Sequence, residues 1–472
     1  MEGSRLIEAV KQLSRRDCRQ FEKWLQSPFF NRDQALQRLW AYITECQLQL
    51  KLPAEASKGF QAAYPGQPFD AQKMRLLMSR LYKQLEQYLA YTEMGNDPIL
   101  IQQHLAQGLK KRRLWGHFNR VLGQLRQSLA KQGTRHKGYF QALIQLQEEE
   151  HQLKSTKDPT DATHLRQMAA AMDQAYLLQR LRQSCRLLAH GSVYRSRFEE
   201  GLLEMVLPQL DAAFLQQAPG VALYYHCYQM LRRPEQADNF RRFKQVLFQH
   251  GGAVAPSELR DLYLLAINYC VRQVNSGHFD FYKELYTLYQ EGLETAALLE
   301  NKVLSRFTYH NIVTTGLRIG ELDWVHGFIH DYRGQLERPY RAASYSFCMA
   351  HWCYHRKAYD EAMQWLREVN YRDPLLNLAA KTLQLKIYYE AEAIDALPPF
   401  LDAMEHYIRR KEVIGYHRIN YLNIVRYTRK LLSVNPFERS AVQAFLAEVG
   451  QEPTLTEKSW LQHQARRLQG QR

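Results

Sequence analysis

Apolar residues recur at intervals of three and four from the start of the chain, the spacing of one helix face. Leu6, Ile7, Val10 and Leu13 form the first such stripe, and Phe21, Trp24 and Leu25 the second. Ser14 with Asp17 three residues on is a variant of the capping box, so it opens the second helix. Ser27-Pro28 closes that helix, because the residue before proline avoids helical backbone. Asn31 is the expected cap of a third helix carrying Leu36, Leu39, Trp40 and Ile43. Pro53 to Asp70 reads as loop, with Pro65, Gly66 and Pro68 as breakers. Asp70 is then placed to cap a helix with Met74, Leu77, Leu81, Leu85 and Tyr88 on one side. Asn96-Asp97-Pro98 marks a boundary, after which Ile99, Leu109, Phe118, Leu122, Leu125 and Leu129, then Phe140 to Leu153, continue the helical period. A polar break follows at Lys154-Ser155-Thr156-Lys157-Asp158-Pro159-Thr160-Asp161. No run alternates with the period of a strand, so the predicted class is all-α.

Further along, one helix start recurs. It reads Ser276-Gly277-His278-Phe279-Asp280, then Ile319-Gly320-Glu321-Leu322-Asp323, then Arg356-Lys357-Ala358-Tyr359-Asp360. Fainter copies are Glu235-Gln236-Ala237-Asp238 and Glu392-Ala393-Ile394-Asp395. The aspartates stand about 35 to 43 residues apart, the length of two helices and two turns. A small or polar residue permits the tight turn, and the next apolar residue packs back on the preceding helix. The aspartate then meets the positive end of the helix dipole. A two-helix unit cannot bury its own apolar face, so such units must stack.

These copies resemble the tetratricopeptide repeat over roughly residues 220–410. Its small–small–proline signature is matched best by Ala350, Ala362 and Pro374, with Ser346, Met349, Cys353 and Leu366 at packing positions. The earlier copies are looser, with Tyr309, Ile312, Val313 and Gly316 in one and Ala266, Tyr269 and Cys270 in the other. The resemblance implies an all-α helical-repeat array, a right-handed solenoid preceded by an N-terminal helical unit. The expected segments are 1–95 (the N-terminal unit), 96–215 (hairpins leading into the array), 216–435 (the repeats) and 436–472 (capping helices, the last near Leu455 to Leu468).

Composition agrees with long helices, since Gly (23) and Pro (16) are both sparse in 472 residues. The seven cysteines are odd in number and scattered, which suits buried thiols rather than a disulfide framework. With no apolar signal core after Met1-Glu2-Gly3-Ser4-Arg5, and Leu262 to Val271 only about half a membrane span, a cytoplasmic protein without membrane insertion is expected. The net charge of +15 favours acidic partners. Basic clusters stand at Lys110-Lys111-Arg112-Arg113, Arg241-Arg242-Phe243-Lys244 and Arg409-Arg410-Lys411.

Chemistry-bearing motifs are missing: the chain has no phosphate loop, no Gly-x-Gly-x-x-Gly, no His-Glu-x-x-His and no Gly-x-Ser-x-Gly. An enzyme is therefore not expected, and no cofactor is implied. Cys348, His351, Cys353 and His355 resemble a ligand cluster, but one helix presents three of them at most and no second cluster completes a tetrahedron. They read as packing and groove-lining residues, with no metal.

In the resembled family, the first helix of each unit lines a concave groove that often holds a peptide. Transferred residue by residue, the resemblance selects Phe347, His351, Tyr354 and His355 from the best copy and His310, Thr314 and Arg318 from the one before. It adds Tyr225, Gln229, Arg232 and Arg233 from the first weak copy and Lys386 and Tyr389 from the last. The family's paired Lys/Asn carboxylate clamp is absent. The set is aromatic and basic, which suits an extended acidic or C-terminal peptide. The expected function is a non-catalytic protein- or peptide-binding scaffold. The alternative is a nucleic-acid-binding or regulatory repeat protein using a distributed basic surface.

Overall fold

The computed structural model describes the chain except residues 2, 47–54, 156–157, 195–200, 368–372, 411–416 and 471–472. Parts of the sequence-based readings at Glu2, Pro53, Thr156-Lys157 and Lys411 therefore lie outside the described residues. The chain divides into two units, Met1–Leu177 and Leu178–Arg472.

The first unit contains α1 (Arg5–Gln12), α2 (Arg15–Gln26), α3 (Gln34–Thr44), α4 (Ala56–Ala63), α5 (Ala71–Gly95), α6 (Pro98–Lys111), α7 (Trp115–Lys131), α8 (Lys137–Ser155) and the start of α9 (Thr163–Tyr194). Its apolar stripes meet as the periodicity predicts. Leu6, Phe21, Trp40, Phe60 and Leu81 belong to one buried cluster, and Phe118, Leu122, Leu125 and Leu146 to another. The capping box at Ser14 and Asp17 is formed, and Asp70 and Asp97 cap α5 and α6 through their carboxylates.

Two local expectations are corrected. Asn31 does not cap α3: Asp33 does, its Oδ1 accepting from Ala35 N at 2.9 Å. Asn31 is instead buried as a brace, donating to Leu25 O at 2.8 Å and accepting from Asp33 N at 3.0 Å. The stretch read as loop contains α4, because Phe60 and Ala63 gain burial that offsets a short helix's poor intrinsic stability.

The second unit continues through α10 (Leu203–Val206), α11 (Ala212–Gln217), α12 (Pro219–Arg232), α13 (Ala237–His250), α14 (Pro256–Asn275), α15 (Phe281–Glu294), α16 (Arg306–Ile319), α17 (Leu322–Asp331), α18 (Arg341–His355), α19 (Tyr359–Arg367), α20 (Pro374–Glu390), α21 (Leu397–Arg410), α22 (His417–Ser433), α23 (Arg439–Gln451) and α24 (Lys458–Gly470). The pairs α12/α13, α14/α15, α16/α17, α18/α19 and α20/α21 pack as successive hairpins. First helices also touch one another, α12 on α14, α16 on α18 and α18 on α20. This is an all-α helical-repeat fold. Among the described residues, the exception is a hairpin of two-residue strands, β1 (Leu299–Glu300) and β2 (Val303–Leu304), turned by Asn301 and Lys302 at φ 52° and 65°.

The backbone carries the repeat more clearly than the side chains do. Gly277, Gly320, Lys357 and Glu392 all have positive φ, and each stands three residues before a repeat aspartate: Asp280, Asp323, Asp360 and Asp395. In each turn the next residue's N–H bonds back five residues: His278 to Gln273, Glu321 to Gly316, Ala358 to Cys353 and Ala393 to Tyr388. This is the left-handed cap that ends a helix by satisfying its last carbonyls. Asp323 and Asp360 lie in the first turns of α17 and α19, and Asp280 flanks α15. Within the pairs, small residues let helices approach. A Cβ on Gly316 of α16 would lie 2.4 Å from Cγ2 of Val325 on α17. All seven cysteines are buried and free.

Candidate binding cavity

A cavity of about 1160 Å³ opens in the second unit, lined by α16, α18, α20, the start of α22, the Thr456–Glu457 turn and α24. Helical spacing puts the lining on single faces: Arg306, His310, Thr314 and Arg318 on α16, and Phe347, His351, Tyr354 and His355 on α18. On α20 the lining repeats as Leu375, Ala379, Thr382, Lys386 and Glu390. Rings form a continuous contact along the wall: His310 to Phe347 at 5.5 Å, Phe347 to His351 at 5.8 Å and His351 to His355 at 5.3 Å.

One end is built around Arg306. Its Nη2 pairs with Asp373 Oδ2 at 2.8 Å, and its guanidinium lies 3.7 Å from the Tyr340 ring centre. Asp373 is fixed from the other side, because its Oδ1 caps α20 by accepting from Leu375 N and Leu376 N. Nη1 of Arg306 and Nε2 of His310, one turn apart, are buried and have no hydrogen-bond partner among the described residues.

The other end is built around Glu390. Its Oε1 accepts from Tyr354 OH at 2.5 Å, Trp460 Nε1 at 2.6 Å and Gln464 Nε2 at 3.0 Å, and its Oε2 accepts from Tyr359 OH at 2.9 Å. Four donors from α18, α19 and α24 thus converge on the last residue of α20. Buried Lys386 adds a second tie to the C-terminal segment, 2.9 Å from Glu457, with its ammonium 4.8 Å from the Tyr354 ring centre.

The histidines report the local field. Burial pushes His310 down to about 4, with Arg306 lowering it further and Asp373 opposing. His355 also falls to about 4 through burial, then Lys386 and Arg318, against Glu390 and Glu457. His351 is driven well down by burial and then by His355, Lys386 and Arg318. All three are neutral imidazoles at pH 7, and the largest charge effects on them come from cationic neighbours or other histidines. Burial, then hydrogen bonding to Glu390, pushes the Tyr359 phenol up to about 12; burial does the same to Tyr421.

Of the residues selected from the sequence, His310, Thr314, Arg318, Phe347, His351, Tyr354, His355 and Lys386 line this one cavity. Tyr225, Gln229, Arg232 and Arg233 do not: they belong to α12 and its end, two hairpins earlier. Arg232 there donates to Tyr228 OH at 3.2 Å, and Arg233 is exposed at the cap. Tyr389 also lies outside, packed edge-on against Trp460 at 5.5 Å. The cavity thus draws on the α16–α20 hairpins rather than on the whole array. Within the former ligand-like cluster, Cys348 and Cys353 are core residues while His351 and His355 face the cavity.

Sequence reasoning missed Arg306, Asp373, Glu390 and all of the α24 lining. Arg306 and Glu390 were within reach, since each extends a chosen face by one turn. Trp460, Gln464 and Arg467 carried no signal, because they arrive from about 70 residues beyond α20. No protein-family model matches the chain, and no curated protein matches it.

Proposed function

We propose that this protein is a non-catalytic scaffold whose second unit, a tetratricopeptide-like array, holds an extended segment of a partner protein in the α16–α24 cavity. The observation that carries this is the lining itself: one face from each of three consecutive first helices, apolar and aromatic, with more cations than carboxylates. The volume, about 1160 Å³, exceeds that of ordinary small-molecule pockets, about 300–1,000 Å³. Aromatic walls give contact area at low entropy cost, and charged groups at the ends set direction. The lining carboxylates are already engaged: Asp373 by Arg306, Glu457 by Lys386 and Glu390 by four donors. That arrangement favours holding a ligand over proton transfer.

The competing nucleic-acid reading draws less support, because each basic cluster has cations already paired with carboxylates of this chain. Lys110 pairs with Glu149, Arg241 with Asp238, Lys244 with Glu284 and Arg409 with Glu405. Filling the cavity tests the proposal. Ala379→Trp and Thr314→Trp place a bulky ring among the lining residues. Affinity purification followed by mass spectrometry should return a set of proteins with the wild type that both filled variants lose, at unchanged melting temperature. The same proteins on all three baits, or nucleic acid alone on the wild type, would overturn it.

A further inference from the structure

We infer that the α16 end of the cavity seats a carboxylate of the bound segment, a chain terminus or an Asp or Glu side chain, on Nη1 of Arg306 and Nε2 of His310. The inference rests on the scaffold proposal and adds the chemistry of its ligand. These two nitrogens are buried, without a partner among the described residues, and one helical turn apart in a wall of the cavity. A buried donor without an acceptor costs about 1–3 kcal/mol, so an arriving acceptor recovers what the empty site forfeits.

Arg306 is held for the task on two sides. Asp373 fixes Nη2 at 2.8 Å and the Tyr340 ring supports the guanidinium plane, leaving Nη1 as its open donor. His310 is neutral and so has one N–H, and a carboxylate oxygen selects the tautomer that places it on Nε2. Charge decides between anions. Asp373 already neutralises the single charge of Arg306, so a monoanion held by the two N–H groups fits where a phosphate dianion would crowd more negative charge beside a carboxylate. The excess of Arg318, Lys357 and Arg467 elsewhere in the lining keeps the cavity attractive to acid overall. Both nitrogens are shielded from water, and Phe347, its ring 5.5 Å from His310, is the neighbour that yields on entry.

The test uses the full chain and a random peptide library prepared in matched forms: free acid, C-terminal amide, and amide with Asp and Glu replaced by Asn and Gln. Wild type should retain acid-bearing peptides. Preference for the free acid over the amide identifies a chain terminus, and preference for the acidic amide over its Asn/Gln form identifies a side chain. Arg306→Lys preserves the ion pair to Asp373 but loses the fork, and His310→Phe preserves the ring but loses the donor. Each should weaken retained peptides about tenfold or more, the value of one hydrogen bond to a charged group, without lowering the melting temperature. Phe347→Ala should keep the acid preference. Equal retention of all three forms, or full affinity in both variants, overturns the carboxylate seat and leaves the groove proposal standing. Should no form bind wild type, both fall.

Discussion

Replacing Glu390 tests how the C-terminal segment is attached to the array. The carboxylate takes Tyr354 and Tyr359 hydroxyls and the Trp460 and Gln464 N–H groups, at 2.5 to 3.0 Å. Glu390→Ala strips the acceptor from all four. At about 1 kcal/mol per donor, the lower end for a half-buried site that water can reach, the loss is about 4 kcal/mol. Glu390→Gln keeps one oxygen where three donors converge and turns an NH₂ toward Tyr359, whose hydroxyl can rotate to accept. Its cost should be about 1–2 kcal/mol. Urea unfolding gives both values, and amide exchange across 458–468 reports whether α24 detaches first, which is the expected order in the Ala variant. The Gln variant has a spectroscopic signature as well: Tyr359, held at about 12 by burial and Glu390, should titrate closer to 10, read by ultraviolet absorbance against a Tyr359→Phe control. A loss below about 1 kcal/mol in the Ala variant, with α24 protected as in wild type, would refute the idea that this carboxylate fastens the C-terminal helix.

Acid should destabilise the second unit through its histidines. His310 and His355 titrate near 4 when folded and near 6.5 when unfolded, so the unfolded chain binds more protons between those values and stability falls as pH drops. At pH 5.5 each costs about 1.2 kcal/mol relative to pH 7, and His310→Phe or His355→Phe should remove its share of the slope in urea titrations. Gly316→Ala drives a methyl into Val325 and should cost about 1–3 kcal/mol, whereas Gly123→Ala meets nothing within 4 Å and should gain up to about 1 kcal/mol from helix propensity. Lys357→Gly should stabilise by about 1 kcal/mol, since its φ of 62° burdens any side chain but suits glycine.

Local patterns in the sequence proved faithful where a single helix or turn decides the outcome. The stripe through Met74, Leu77, Leu81 and Leu85 is buried, and the Ser14–Asp17 box and the caps at Asp70 and Asp97 are formed. Asn31 misled because Asn and Asp both cap helices, and Asp33 lies nearer the start of α3. The short α4 was hidden by the turn-formers that flank it. Part of the cavity was legible for the same reason: His310, Thr314 and Arg318, or His351 and His355, share a face by spacing alone. Choosing which faces meet needs tertiary knowledge: Tyr225, Gln229, Arg232 and Arg233 of α12 and its end share a face by the same spacing but lie outside this cavity. Glu390 and Trp460 illustrate the limit, since nothing local announces a hydrogen bond across 70 residues.

The left-handed turns divide each repeat into a rigid part and an elastic one. From Gly277, Gly320, Lys357 or Glu392 to its aspartate the count never changes, while the route from second helix to next first helix does, through the strand pair at Leu299–Leu304 in one place and the single turn at Arg333–Gln335 in another. Residues added or removed along those outer routes leave every hairpin seam in register. One residue added inside the inner turn swings the whole second helix by about 100° and faces its charged side to the core. Drift in period is therefore what a chain assembled this way should accumulate, and comparisons that demand constant spacing will pass over it.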